Sequence, residues 1–303
     1  MEHLVKSFYA SGKLMLFGEY VVMRGVSALA FPTRFGQELH VKSSDVFSWT
    51  SSENGSIWFR MEFDLDLRIT QTNNLSVAQK ALEILQDIRN QKPNLFLEPL
   101  SFNIQASFNR SWGLGTSATL ISLLAQWSCV DAFELNDKHF GGSAYDIACA
   151  TANGAILYDR ESRTTKPVSL PESITDYLLF VYSGKKQDSN AEVVRFGEKD
   201  VQRQVLVKLK QLVLQVTEIN SIDEFEAIIT QHETLISEIL GVLPIKKANF
   251  ADYPYAVKSL GAWGGDFFMV SYREISEAKN YFMNLGYESM FTFEELRKND
   301  KRI

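Results

Sequence analysis

With only two cysteines and seven prolines among 303 residues, the sequence has little from which to build a disulfide framework or a proline-rich linker. Cys129 and Cys149 lie in apolar surroundings, and neither has a Cys or His neighbour at metal-ligand spacing, so buried free thiols are expected. The four histidines (His3, His40, His139, His232) form no paired spacing such as HExxH, which excludes the common zinc-hydrolase pattern. Long hydrophobic runs are also missing. The most apolar stretch, residues 120–130, is interrupted by Ser122, Gln126 and Ser128 and falls short of the roughly 20 residues a membrane-spanning helix needs. No signal-peptide pattern opens the chain, so a cytoplasmic protein without membrane contact is expected. Positive charge is the scarcer sign, 31 Lys+Arg against 37 Asp+Glu, for a formal net charge of −6. Basic residues gather only in pairs such as Lys185-Lys186 and Lys246-Lys247, too few to neutralise a nucleic-acid backbone.

What is present is the balance of a soluble globular chain, 45% hydrophobic and 22% charged, long enough for one large domain or two ordinary ones. Short apolar runs separated by Gly18 and Gly25 open the chain and predict strands and hairpins. Alternation continues over residues 39–69, with Asn54-Gly55 between two strand-like runs as a hairpin turn. Apolar positions at helical spacing predict a helix over residues 74–90, and a strand follows over 100–108. The loop 112–117 then leads into a helical pattern from residue 118 to about 133. Further on, a strand over 177–182 precedes a polar loop at 183–190, and two amphipathic helices span about 201–218 and 222–240. A buried strand at 267–272 and a short helix at 276–285 complete the pattern.

Three glycine-bearing loops carry the candidate chemistry: residues 113–117, 141–146 and 261–266. In the first, glycines before a helix let backbone N–H groups converge on an anion at the positive end of the helix, and Thr116 and Ser117 add hydroxyls that suit Mg²⁺. It is neither a Walker A loop nor a GxGxxG dinucleotide loop, because Ala118 stands where the third glycine would be. Lys13 sits in an otherwise apolar strand-like run between Gly12 and Gly18. Taken alone it reads equally as a solvated strand lysine or as a functional cation. Asp146, just before Ile147-Ala148-Cys149-Ala150, reads as a helix cap or as a functional carboxylate.

Taken in order, these segments resemble the motifs of the GHMP kinase superfamily, the galactokinase, homoserine kinase, mevalonate kinase and phosphomevalonate kinase group. Ala10-Ser11-Gly12-Lys13-Leu14-Met15-Leu16-Phe17-Gly18-Glu19-Tyr20 through Ala28-Leu29-Ala30 is similar to the family's first motif. Gly113-Leu114-Gly115-Thr116-Ser117-Ala118 resembles its phosphate loop, Ser143-Ala144-Tyr145-Asp146 the element bearing the catalytic Asp, and Lys258 through Gly265 the third, glycine-rich motif. The resemblance implies an α+β fold with a ribosomal-S5-domain-2-like N-terminal lobe (residues 1–165) and a ferredoxin-like α/β C-terminal lobe (166–303). It also implies ATP and Mg²⁺ as cofactors and transfer of the γ-phosphoryl group to a small-molecule acceptor, with a homodimer as one assembly it allows. Carried over by position, Asp146 is the base and Lys13 its cationic companion, while Gly113, Leu114, Gly115, Thr116, Ser117 and Ala118 hold the nucleotide. Glu19, Ser143, Gly261, Ala262, Gly264 and Gly265 face the substrate, and Ser117 and Glu134 are the Mg²⁺ ligands.

The form of motif one looks most like mevalonate or phosphomevalonate kinase. Other GHMP kinases of sugar or homoserine type are the alternative, as is a family member that binds nucleotide without catalysis. The sequence departs from the family pattern at Ala144, Leu260, Trp263 and Asp266, and Trp112 replaces a small residue before the phosphate loop. Leu135 occupies the place of the second metal-binding Glu of mevalonate kinases, with Glu134 one position away.

Overall fold

A computed structural model describes residues 5–185, 196–263 and 265–298. Among the described residues no helix is long and apolar enough to cross a membrane. The chain forms two compact units. One comprises Met1–Gly12, Phe35–Arg110 and Leu114–Thr151; the other comprises Lys13–Arg34, Ser111–Gly113 and Ala152–Ile303. Two long strands, β1 (Lys6–Phe17) and β2 (Ala28–Ser43), pair with each other, and each contributes to both units.

In the first unit the second half of β2 pairs antiparallel with β6 (Leu100–Ala106), from Gln37↔Ala106 to Ser43↔Leu100. β6 runs parallel to β3 (Phe47–Glu53), which forms a hairpin with β4 (Ser56–Phe63), and β4 pairs in turn with β5 (Ile69–Thr72). Asn54 and Gly55, both at positive φ (46° and 81°), make the hairpin turn, as Asn-Gly chemistry predicts. Helix α1 (Leu75–Gln91) starts where the Asn74 side chain accepts from the Val77 N–H, and it buries Ala78, Ala81, Leu82, Leu85 and Ile88. The remaining helices are α2 (Thr116–Ser128), α3 (Ala132–His139) and α4 (Tyr145–Ala150). The single helix expected from residue 118 to about 133 is thus two. Cys129 ends α2 at φ 55°, and the Asp131 side chain caps α3 by accepting from the Glu134 N–H. That break also turns Cys129 outward. Neither cysteine is in a disulfide and only Cys149 is buried, which corrects the expectation of two buried thiols. The core joins sheet and helices through Trp49, Phe102 and Trp127, with ring centroids 5.6 and 4.9 Å from Phe102.

In the second unit β7 (Ile156–Asp159) pairs antiparallel with the first residues of β2 and with β8 (Thr164–Pro167). A four-stranded antiparallel sheet has the order β10-β11-β9-β12, formed by β9 (Leu178–Tyr182), β10 (Val257–Leu260), β11 (Phe267–Ser271) and β12 (Met290–Thr292). The helices are α5 (Glu172–Thr175), α6 (Arg203–Gln215), α7 (Ile222–Leu240), α8 (Ile245–Asn249), α9 (Ile275–Asn284) and α10 (Phe293–Leu296). Period-two alternation gives the sheet two buried faces. Val257, Phe268, Val270, Leu179 and Val181 join Phe250 and Phe282 in one core, so Lys258, between Val257 and Ser259, points away from it. α7 lies against β10.

Candidate active site

The glycine loop feeds directly into α2. Gly113 and Gly115 have φ of 65° and 90°, left-handed values that glycine adopts without a Cβ penalty. Gly115 precedes the first turn of α2 and has no side chain to cap it, and that turn contains no acidic residue. The first N–H groups of a helix lack intrahelical partners, and the helix dipole adds partial positive charge there. No side chain caps that turn and none of its own residues is acidic, so this helix end has the chemistry of an oxyanion cradle. Leu114 and Ala118 are buried, Thr116 is half-buried and Ser117 is exposed. Thr119 holds the helix in place, its hydroxyl 2.9 Å from Gln37 Oε1 on β2 and its N–H donating to Gly115 O at 2.9 Å.

Helix α2 packs against α3 and α4. Asp146 lies in the first turn of α4, half-buried, with Oδ1 accepting from the Ile147 N–H at 3.1 Å; Ser143 is half-buried just before it. Ala144 holds φ 60°, ψ 16°, a left-handed conformation that costs an alanine about 1–2 kcal/mol. Glu134 is exposed in the first turn of α3. Among the described residues no three His, Cys, Asp or Glu side chains gather as a metal cage. A Mg²⁺ held mainly by phosphate oxygens and water would need no such cage.

Gly113 belongs to the second unit, where its surroundings are crowded. Lys13 Nζ donates to Gly113 O at 2.9 Å. A Cβ on Gly113 would fall 1.9 Å from Asp266 Oδ2, so the Asp266 carboxylate lies directly on this glycine. Asp266 is held by its own backbone, its carbonyl accepting from the Ser183 N–H at 2.7 Å. Trp112 fills an aromatic slot between Tyr182, Phe267 and Phe291, and the Tyr182 hydroxyl lies 3.1 Å from Ser111 Oγ. The large residue before the glycine loop therefore seats residues 111–113 on β9, β11 and β12.

In the third motif, Leu260 is buried at the end of β10, Gly261 follows at φ 69°, and Ala262 O accepts from the Gly265 N–H at 3.2 Å. Gly264, expected to face the substrate, lies outside the described residues. Trp263 donates its backbone N–H to the Tyr20 hydroxyl at 2.7 Å. Glu19, expected at the substrate, is 2% exposed and accepts from Lys258 Nζ at 2.5 Å. Lys258 and His232 have no exposed surface, and Glu233 completes the cluster with Oε1 3.7 Å from Lys258 Nζ. Burial pushes the Glu233 carboxyl up to about 8 and raises Glu19, whose shift the Lys258 charge opposes; burial also holds the His232 imidazole well below its usual range. Sequence reasoning did not find Glu233 and His232, because adjacent His and Glu inside an amphipathic helix read as its polar face.

Solved structures of similar shape give this arrangement its context. Mevalonate kinase from Methanococcus jannaschii superposes with TM-score 0.71 at 16% identity, covering 99% of both chains. Phosphomevalonate kinase from Streptococcus pneumoniae, in complex with phosphomevalonate and AMPPNP, superposes with TM-score 0.71 at 20% identity over 95% of this chain and 99% of that one. The chain has the GHMP kinase fold. Galactokinase from Lactococcus lactis, complexed with galactose, shares that fold too, at TM-score 0.68 and 13% identity over 95% of this chain and 92% of that one. No protein-family model and no curated protein matches the sequence. The likeness therefore rests on the GHMP kinase fold, and the α+β expectation, with one large mixed sheet and a second antiparallel sheet, agrees with it.

Proposed function

We propose that this chain is an ATP-dependent small-molecule kinase that transfers the γ-phosphoryl group of Mg·ATP to a hydroxyl or phosphate acceptor, with mevalonate and phosphomevalonate as the leading acceptors. The observation that carries this reading is the α2 N-terminus, which is uncapped, free of acidic residues in its first turn and preceded by two left-handed glycines, on a GHMP kinase fold. Phosphoryl transfer asks the protein mainly for positioning and charge neutralisation, and those donors supply both to a triphosphate. In this reading Ser117 directs its exposed hydroxyl to phosphate or Mg²⁺, and Glu134 is the weaker metal ligand. Lys13 supplies positive charge to the transferring group. Asp146 accepts the acceptor's proton. Ser143, Gly261, Ala262 and Gly265 serve the acceptor side. A bound Mg²⁺ would add Lewis-acid neutralisation of the phosphates.

The test is ATP consumption by the purified chain with mevalonate, phosphomevalonate, galactose or homoserine. Turnover with one of them is expected, with Asp146→Asn slower by about 10²- to 10⁴-fold while ATP binding is kept. Unchanged turnover in that variant would refute the assigned base. One observation favours a second reading, nucleotide binding without transfer: the Asp266 carboxylate on Gly113 places negative charge at the entry to the loop. ATP binding with no turnover across the acceptor panel would select it.

A further inference from the structure

Two side chains of motif one are committed to the segment that carries the third motif. The Glu19 carboxylate accepts from Lys258 Nζ at 2.5 Å, and the Tyr20 hydroxyl accepts from the Trp263 N–H at 2.7 Å. Tyr20 makes its contact from φ 63°, ψ −50°, a conformation that a non-glycine residue keeps only when its surroundings impose it. The turn before it is closely packed, since a Cβ on Gly18 would lie 2.7 Å from Ser27 O. Phe196 lies against the Tyr20 ring, with centroids 5.3 Å apart.

The charges around Lys258 do not balance if every group takes its usual form. Glu19 Oε2 and both His232 ring nitrogens make no hydrogen bond among the described residues, Glu233 has only the Ser259 backbone and a Lys258 Nζ 3.7 Å away, and His232 Nε2 stands 3.7 Å from Glu19 Oε2. Two ionised carboxylates on one ammonium would bury a net negative charge, which a dry interior does not tolerate. With His232 kept neutral by its burial, one of the two carboxyls holds a proton. Lys258 is in contact with Glu19 and 3.7 Å from Glu233, so geometry selects Glu233 as the acid.

We propose that Glu19 and Tyr20 are positioning residues, a clasp on the segment from Lys258 to Trp263, and that a proton kept on Glu233 leaves Lys258 committed to Glu19. An ionised Glu233 competes with Glu19 for the one ammonium, and the clasp slackens. The groups facing Glu233 are Lys258 from β10, Glu19 from the turn after β1 and the backbone of Ser259, while His232 on its own helix faces Glu19; the buried residues of α6 are Leu209, Leu212 and Val213, and those of α5 are Ile174 and Thr175, none of them charged. Burial raises the Glu233 carboxyl from 4.5 to about 8. The native state therefore holds this proton more tightly than the unfolded chain does. Its contribution to stability is full below about pH 4.5 and declines as pH rises to about 8. The catalytic meaning of the clasp rests on the kinase reading; its existence does not.

The experiment is hydrogen–deuterium exchange on the full chain, followed in peptides spanning residues 257–263 at pH 6.5 and pH 9 and corrected for the intrinsic pH dependence, with thermal melts over the same range. Tyr20→Phe removes only the hydroxyl, and Glu233→Gln mimics the protonated acid. Wild type is expected to exchange slowly at pH 6.5 and about tenfold faster at pH 9. Glu233→Gln should stay slow at both, and its Tm advantage over wild type should grow from pH 5 to pH 8. Tyr20→Phe should expose the Trp263 amide at both pH values while the global Tm moves little. Wild-type exchange at Trp263 in Tyr20→Phe would overturn the clasp. The same pH response in Glu233→Gln as in wild type would overturn the role of the proton. None of these measurements needs ATP, so a chain that shows these patterns but turns over no acceptor refutes the kinase reading alone.

Discussion

Replacing Lys258 by Met tests the buried cluster most severely, because the substitution keeps an unbranched apolar side chain one atom shorter and removes the ammonium with its charge and donors. Lost with Nζ are the bond to Glu19 at 2.5 Å, the bond to Ser259 O at 3.0 Å and the approach to the Phe17 ring at 5.1 Å. Removing one partner of a buried ion pair typically costs about 3–5 kcal/mol. A second route to the magnitude goes through protons. Wild type keeps one buried acid neutral; the variant must keep two, and the second is Glu19, whose ordinary value is 4.5. Protonating one more glutamate costs about 1.4 kcal/mol per pH unit above that value, hence about 0.7 kcal/mol at pH 5 and about 3.4 kcal/mol at pH 7. The two routes agree at neutral pH and separate at acid pH. Urea unfolding at pH 5, 6 and 7 should therefore show a penalty that climbs steadily, and Glu19→Gln added to Lys258→Met should remove most of the climb. A penalty of the same size at every pH would refute the reasoning and assign the loss to packing.

Gly113→Ala should destabilise by at least the roughly 1–2 kcal/mol of a left-handed alanine, because the new methyl also displaces the Asp266 carboxylate. Asp266→Ala in the same chain should return the steric share, and strict additivity in that double-mutant cycle would show that the two do not touch. Phe102→Ala, at the junction of Trp49 and Trp127, should cost about 3–5 kcal/mol in urea unfolding, and a loss below about 1 kcal/mol would mean that the first unit's core lies elsewhere. Ser117→Ala should weaken Mg·ATP binding more than acceptor binding by calorimetry; equal effects on both would argue against its place at the phosphates.

Those contacts also mark where sequence reasoning works and where it stops. The hairpin at Asn54-Gly55 was legible because it is decided within four residues by local chemistry, and the helix after Asn74 because its apolar spacing repeats over several turns. The break between α2 and α3 was not: Cys129 is an unusual residue to take a left-handed conformation, and the apolar pattern runs on through it. Among the candidate site residues, the glycine loop before α2 was legible for the same local reason, as was the place of Asp146 at the start of α4. The partnership of Glu19 with Lys258 spans 239 positions, and nothing in either neighbourhood announces it. Glu19 was expected at the substrate from the family resemblance alone; a carboxylate is costly to bury, and the cost is met by a lysine that the sequence places at the far end of the chain. Trp112 and Trp263 stood out as departures from a family pattern, and only the fold shows one seated among Tyr182, Phe267 and Phe291 and the other held by Tyr20 through its main chain.

Ala144 carries a consequence for motion. A glycine at that turn would be free to visit many backbone states, and ordering it would cost entropy each time the turn formed. The methyl removes that freedom but disfavours the left-handed state by about 1–2 kcal/mol, and it is only 4% exposed, within the same apolar cluster as Ile147 and Ala150. The turn that leads into Asp146 is therefore held by the packing around that methyl and not by its own backbone preference, so loosening the cluster would release the turn.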